Sequence, residues 1–146
     1  MDRDDGVRPE GATNSTPSGF EPRPMGGGFL ASFGPLYMRR GEGPSTFGLR
    51  IGPQHCNAKD MAHGGMLATL ADVVLGIGGL EQAEAPGFFI TISLQTDFLG
   101  PAPLGAWIEC RPELLRRTRT LMFVQGSFTV EGRPVLRASG VFQLPK

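Results

Sequence analysis

Between Gly64 and Leu80 the chain carries large apolar residues at helical spacing, with glycines at positions where a helix ordinarily avoids them. Met66, Leu67, Leu70, Val73, Val74 and Ile77 recur at three- and four-residue steps, which predicts an amphipathic helix. At about 100° per residue these side chains sweep one broad arc that continues to Leu75. The remaining arc holds Gly65, Ala68, Thr69, Asp72, Gly76 and Gly79. A glycine inside a helix costs roughly 1 kcal/mol relative to alanine, and exposure to water gives no reason for it. Close approach of a ligand or of another stretch of chain does. Asp72 is therefore expected to line a crevice against another chain segment or subunit.

Strands are expected around this helix. Leu36–Arg40 and Thr46–Ile51 flank a Gly- and Pro-containing turn. After a break at Glu84–Gly87, Ile90, Ile92 and Leu94 alternate with Thr91, Ser93 and Gln95, the period of a half-buried strand within Phe88–Leu99. Ala106–Leu115, Thr120–Val130 and Pro134–Leu144 follow, the last two joined by the tight turn Glu131-Gly132-Arg133. One helix among antiparallel strands is an α+β arrangement in which the sheet must cover the helix.

Glycine and proline, 22 and 13 of 146 residues, come close to low-complexity levels, but they are unevenly spread. Residues 1–28 hold ten of them, with eight charged residues and Phe20 as the one aromatic, and are expected to form a flexible tail. Residues 29–146 are expected to form one domain. The net charge is zero, which removes the bulk electrostatic case for nucleic acid. No apolar run approaches the roughly 20 residues of a membrane span, and the acidic start lacks the pattern of a secretion signal. Cys56 and Cys110 cannot build a disulfide framework, so a cytoplasmic protein with reduced thiols is expected.

The segment leading into the helix, His55 to Gly65, concentrates chemistry. Two glycines at a helix N-terminus, Gly64 and Gly65, expose backbone N–H groups at the positive end of the helix dipole, suited to an anion or a developing oxyanion. Asp72 lies about 12 Å further along the axis at 1.5 Å per residue, too far to act on the same atom. Cooperation between them requires two antiparallel helices, hence a dimer. His63 is read as a loop-fixing residue, with proton transfer as the alternative. His55, Cys56, Asp60 and His63 match no standard zinc spacing, so no metal is expected. No G-x-S-x-G elbow is present.

The run Asn57-x5-His63-Gly64-Gly65-x6-Asp72, the strand Ile90–Leu99 ending in Gly100-Pro101-Ala102, and Arg117-Thr118-Arg119-Thr120-Leu121 resemble the hotdog-fold thioesterases, in particular the phenylacetate-degradation type. The resemblance spans Leu36 to Leu144. It implies a curved antiparallel sheet wrapped around one long helix, and a hydrolase of acyl-CoA working as a homodimer that pairs into a homotetramer, with CoA as part of the substrate and no separate cofactor. By the same resemblance Asp72 is nucleophile or general base and the Gly64 N–H polarises the thioester carbonyl. Asn57 holds substrate or water and Thr91 assists the carboxylate. Gly65, Arg116, Arg117 and Arg119 are substrate-binding candidates, the arginines for CoA phosphates or, alternatively, as a solvated strand edge. Asp60 and Thr118 stand where the family commonly has glycine. At Asp60 this implies a turn with positive φ, and an added carboxylate near the oxyanion site. A hotdog domain that binds acyl-CoA without turnover, and a hotdog hydratase, are the other readings.

Overall fold

The computed structural model describes residues 15–146. The one long helix, α1 (Gly64–Gln82), starts at His63, whose Nδ1 accepts the Gly65 N–H at 2.9 Å and so satisfies one of the free donors of the first turn. It ends in a Schellman arrangement: the Ala85 N–H donates to the Leu80 carbonyl at 3.0 Å and the Glu84 N–H to the Glu81 carbonyl at 3.2 Å. Glu84 there adopts φ 52°, the left-handed region that favours glycine. Glu84→Gly is expected to raise stability by about 0.5–1 kcal/mol, or a few degrees in Tm, as thermal unfolding would show.

Among the described residues eight strands form one antiparallel sheet: β1 (Glu21–Arg23), β2 (Leu36–Arg39), β3 (Thr46–Arg50), β4 (Ile90–Phe98), β5 (Trp107–Cys110), β6 (Glu113–Arg117), β7 (Leu121–Val130) and β8 (Arg133–Gln143). Their lateral order is β1-β2-β3-β5-β7-β8-β4, with β6 also on β7. The sheet packs against α1 through Leu70, Val74 and Leu75 from the helix and Phe47, Val124, Phe128 and Phe142 from the strands, all buried. By length and composition alone α1 could cross a membrane, but here the sheet packs it. The turn between β7 and β8 has positive φ at both Glu131 and Gly132, as a two-residue hairpin requires.

Three expectations need correction. First, Ala106–Leu115 is two strands rather than one. Pro112 has no N–H to give a ladder, and the chain breaks there between β5 and β6. Second, the part of the 1–28 tail within the described residues is packed. β1 pairs with β2, and Phe20 is buried with its ring edge-on to Trp107 at 5.0 Å. Residues 1–14 of that expected tail lie outside the described residues.

Third, Ile90 and Ile92 are more than half exposed, although their alternation suggested a buried face. The register against β8 passes from Thr91↔Phe142 to Ser93↔Val141, so Ile92 is an extra residue in a bulge. The bulge reverses the alternation along β4. Thr91 reaches α1, while further along the strand Leu94 and Thr96 are the less exposed residues.

Candidate active site

Thr91 and Asp72 meet where β4 crosses the middle of α1. The Thr91 hydroxyl donates to Asp72 Oδ1 at 2.6 Å, fixing the half-buried carboxylate beside β4, which is an edge strand of the sheet. That edge carries no strand among the described residues, since β4 pairs only with β8. Without the bulge, period-two alternation would turn Thr91 away whenever Leu94 faces the helix.

The glycines beyond Asp72 are approached closely by another segment of the same chain, one of the expected occupants, rather than by a ligand or a second subunit. A Cβ on Gly76 would lie 2.0 Å from the Phe89 ring, and one on Gly79 would lie 2.7 Å from Val124 and 2.8 Å from the Met122 sulfur. Phe89 lies across the helix backbone one turn after Asp72 and packs edge-on against Phe142 at 5.2 Å. The strip near Asp72 is thus open only toward its N-terminal end, at Gly65, Ala68 and Thr69.

At the helix entrance the loop is held by backbone pairing. The Asn57 N–H donates to the Met61 carbonyl at 2.8 Å, the Ala62 N–H to Ala102 at 2.8 Å, and the His63 N–H to His55 at 2.8 Å. Asn57 Oδ1 accepts the N–H groups of Lys59 and Met61 at 2.9 and 3.3 Å, so its carbonyl oxygen shapes the turn. Asp60 closes that turn at φ 55°, the backbone expected of the position. Its charge and, more strongly, burial push the Cys56 thiol up from its ordinary value.

Because His63 Nδ1 takes the Gly65 N–H, Gly65 is not a second oxyanion donor as expected. The Gly64 N–H has no hydrogen-bond partner among the described residues. His63 is exposed and caps the helix, the loop-fixing role read from its position. Open space of about 410 Å³ lies beside it, bounded by Phe29, Phe33, Cys56, Met66 and Thr69.

Arg117 donates from Nη1 to the Ala83 carbonyl at the C-terminal end of α1, at the negative end of the dipole. Arg116, Arg117 and Arg119 are all exposed.

His55, considered above only as a metal ligand, is structural. It is 2% exposed, its Nδ1 accepts the Gly52 N–H at 2.8 Å, and its Nε2 donates to the Phe33 carbonyl at 2.7 Å. Burial holds its pKa below the ordinary 6.5, against an opposing push from the Phe33 bond. The unfolded chain therefore binds this proton first as pH falls. Stability is full above about pH 6.5 and is lost below it at up to roughly 1.4 kcal/mol per pH unit, until the folded ring also titrates. Between pH 6.5 and 5.5, Tm is expected to fall more steeply in the native chain than in His55→Gln; equal slopes would contradict this.

Comparison with known proteins gives the family and the fold. The sequence model of the thioesterase superfamily matches residues 60–136, which run from the entrance turn through α1 and Thr91 into β8. The chain belongs to the thioesterase superfamily. It is 36% identical over 132 residues to a Pseudomonas aeruginosa protein named "Putative esterase PA0474", covering 90% of this chain and 98% of that one. It is 29% identical over 93 residues to human acyl-coenzyme A thioesterase 13, covering 63% of this chain and 65% of that one. The fold is the hotdog. It is shared with a hypothetical thioesterase protein with coenzyme A from Streptococcus pneumoniae TIGR4, at TM-score 0.71 and 20% identity over 80% of this chain and 90% of that one.

Proposed function

We propose that this thioesterase hydrolyses acyl-CoA thioesters to free acid and CoA, at sites shared between two copies of the chain. The observation that carries the reading is the Thr91–Asp72 hydrogen bond, which fixes a half-buried carboxylate beside an unpaired strand edge. The names of the human relative and of the S. pneumoniae structure support CoA as the thiol.

In the proposed reaction Asp72 either attacks the thioester carbonyl carbon or takes a proton from a water that does. The carbonyl oxygen gains negative charge and is met by the Gly64 N–H of the partner subunit, whose helix dipole adds to the stabilisation. Collapse breaks the C–S bond; where Asp72 itself attacked, the acyl–aspartyl anhydride left behind is then cleaved by water, which frees the carboxylate. CoA leaves as the thiolate and takes up a proton, and the acid takes the hydroxyl of water. Thr91 orients the carboxylate throughout. Asn57 shapes the turn that presents Gly64, and the exposed Arg116, Arg117 and Arg119 are the basic residues offered to CoA phosphates.

The shared site follows from the spacing of Gly64 and Asp72 on one helix. Pairing of β4 with the partner's β4 would continue the sheet and set the two helices antiparallel. Ile90, Ile92, Phe98 and Leu99, each more than half exposed along or just after this strand, would be covered. The test is release of free thiol from a panel of acyl-CoAs. Tight binding of acyl-CoA with no thiol released would instead support a non-catalytic binding domain.

A further inference from the structure

The open end of the strip at Asp72 leads into a pocket. Gly65 and Thr69 line the space of about 410 Å³ beside His63. Thr69 stands one helical turn before Asp72, about 4.5 Å along the axis. Steps of four and three residues put Gly65, Thr69 and Asp72 on one face of α1, and Phe89 covers that face only beyond Asp72, over Gly76. His63 and Gly65, the chain neighbours of Gly64, both line the pocket, which sets its mouth at the helix entrance. The volume lies in the range of small-molecule sites.

Opposite the helix the wall is the short 3-10 turn Gly28–Phe33, which contributes Phe29, Ser32 and Phe33. His55 pins this turn through the Phe33 carbonyl. The polar groups around the space are mostly committed. The Ser32 hydroxyl donates to the Phe29 carbonyl at 2.7 Å, the Thr69 hydroxyl donates to the Gly65 carbonyl at 3.0 Å, and both nitrogens of His55 are bonded. The amide-bearing arm of CoA would give up its hydrogen bonds to water here with little return. An apolar occupant gains contact with Phe29, Phe33 and Met66.

The two halves of a thioester diverge at its carbonyl. Arg117, one of the arginines offered to CoA phosphates, is bonded to Ala83, about 16 Å along the axis past Asp72. In an antiparallel pair the partner's helix runs the other way from Gly64 of the partner subunit, so the partner's pocket extends away from that arginine. With CoA directed toward Arg117, the acyl group lies on the pocket side. At about 30 Å³ for each water-sized group, 410 Å³ takes up roughly a dozen carbons.

We propose that this pocket receives the acyl group and restricts the site to short and medium acyl chains, up to about a dozen carbons. The proposal rests on the reading of Asp72 as the hydrolytic residue paired with Gly64 of the partner subunit. Each methylene moved from water into the pocket is worth up to about fourfold, and the gain ends when the space is full.

Thiol release is measured with acetyl-, octanoyl- and palmitoyl-CoA. In the native chain kcat/KM is expected to rise about tenfold or more from acetyl to octanoyl and to fall about tenfold or more at palmitoyl. Ser32→Trp, an exposed position that fills the pocket from the turn, should lower the octanoyl-to-acetyl ratio about tenfold. Thr69→Phe does the same from the helix should the first variant not fold. A highest kcat/KM at acetyl or palmitoyl, or an unchanged ratio in a folded variant, overturns the pocket. Absence of thiol release from every substrate overturns the hydrolytic reading instead. Calorimetry then decides the pocket separately. Binding of octanoyl-CoA about tenfold or more tighter than that of CoA, lost in Ser32→Trp, supports it, and equal binding of the two overturns it.

Discussion

Asp72→Asn is expected to fold as the native chain does and to release thiol with kcat lowered by about 10²–10⁴-fold, the range typical of a lost acid–base group. The substitution is nearly isosteric. Asn keeps an Oδ1 that can accept the Thr91 hydroxyl, so the bond at 2.6 Å and the bulge behind it have no reason to change. Asp72 sits in no ion pair among the described residues, and the change should cost within about 0.5 kcal/mol of stability. What is lost is the charge that attacks the carbonyl or takes the proton from water. KM for acyl-CoA should move little, because the basic residues and every other side chain around Asp72 are untouched. Stopped assays with free-thiol detection check the rate, and thermal unfolding checks the fold. Activity within about threefold of the native chain would remove Asp72 from the mechanism. Thr91→Ala provides the graded comparison: it keeps the charge and frees its direction, so it should lose less than Asp72→Asn.

The helix, the order of the later strands and the position of Asp72 were legible because each rests on local periodicity or on a short motif. Positive φ at Asp60 was legible for the same reason, since one turn position dictates one backbone region. The bulge at Ile92 was not. One extra residue leaves no mark on composition, and Ile90, Ile92 and Leu94 read as one face until the partner strand shows otherwise. The glycines of α1 correctly signalled close approach, but their neighbours are Phe89, Met122 and Val124, residues ten or more positions away that sequence spacing cannot match to them. Phe20 was the single aromatic of a segment rich in glycine, proline and charge. Its burial depends on Trp107 across the sheet, a long-range contact that outweighs the local composition. Arg117 shows the same limit. Its charge was visible, but the carbonyl of Ala83 that engages it was not.

Placing lysines at Ile90 and Ile92 together is expected to produce a monomer with kcat/KM reduced at least about 100-fold, the effect of removing one oxyanion donor. Both side chains are more than half exposed, so the double change costs little core packing in the isolated chain. Across a two-fold pairing of β4 with its copy, however, it sets four added positive charges close together, and like charges facing across strands oppose association. The folded monomer retains Asp72 and the Thr91 hydroxyl on it, because both lie within one chain. It lacks the Gly64 N–H of the partner subunit, since its own Gly64 lies about 12 Å up the helix from Asp72. Light scattering reads the mass and thiol release reads the rate. A monomer with native activity would refute the shared site outright. A dimer with native activity would instead move the interface away from the β4 edge and leave Asp72 in place. Mixing provides the decisive step. If Asp72→Asn and a Gly64→Pro chain, whose proline ring removes the N–H donor, are each inactive alone, a hybrid dimer holds one site with both defects and one with neither. Activity recovered on mixing, about a quarter that of the native dimer when equal amounts re-pair at random and half for each hybrid dimer, is the outcome a shared site requires, because no single chain in the mixture carries both intact groups.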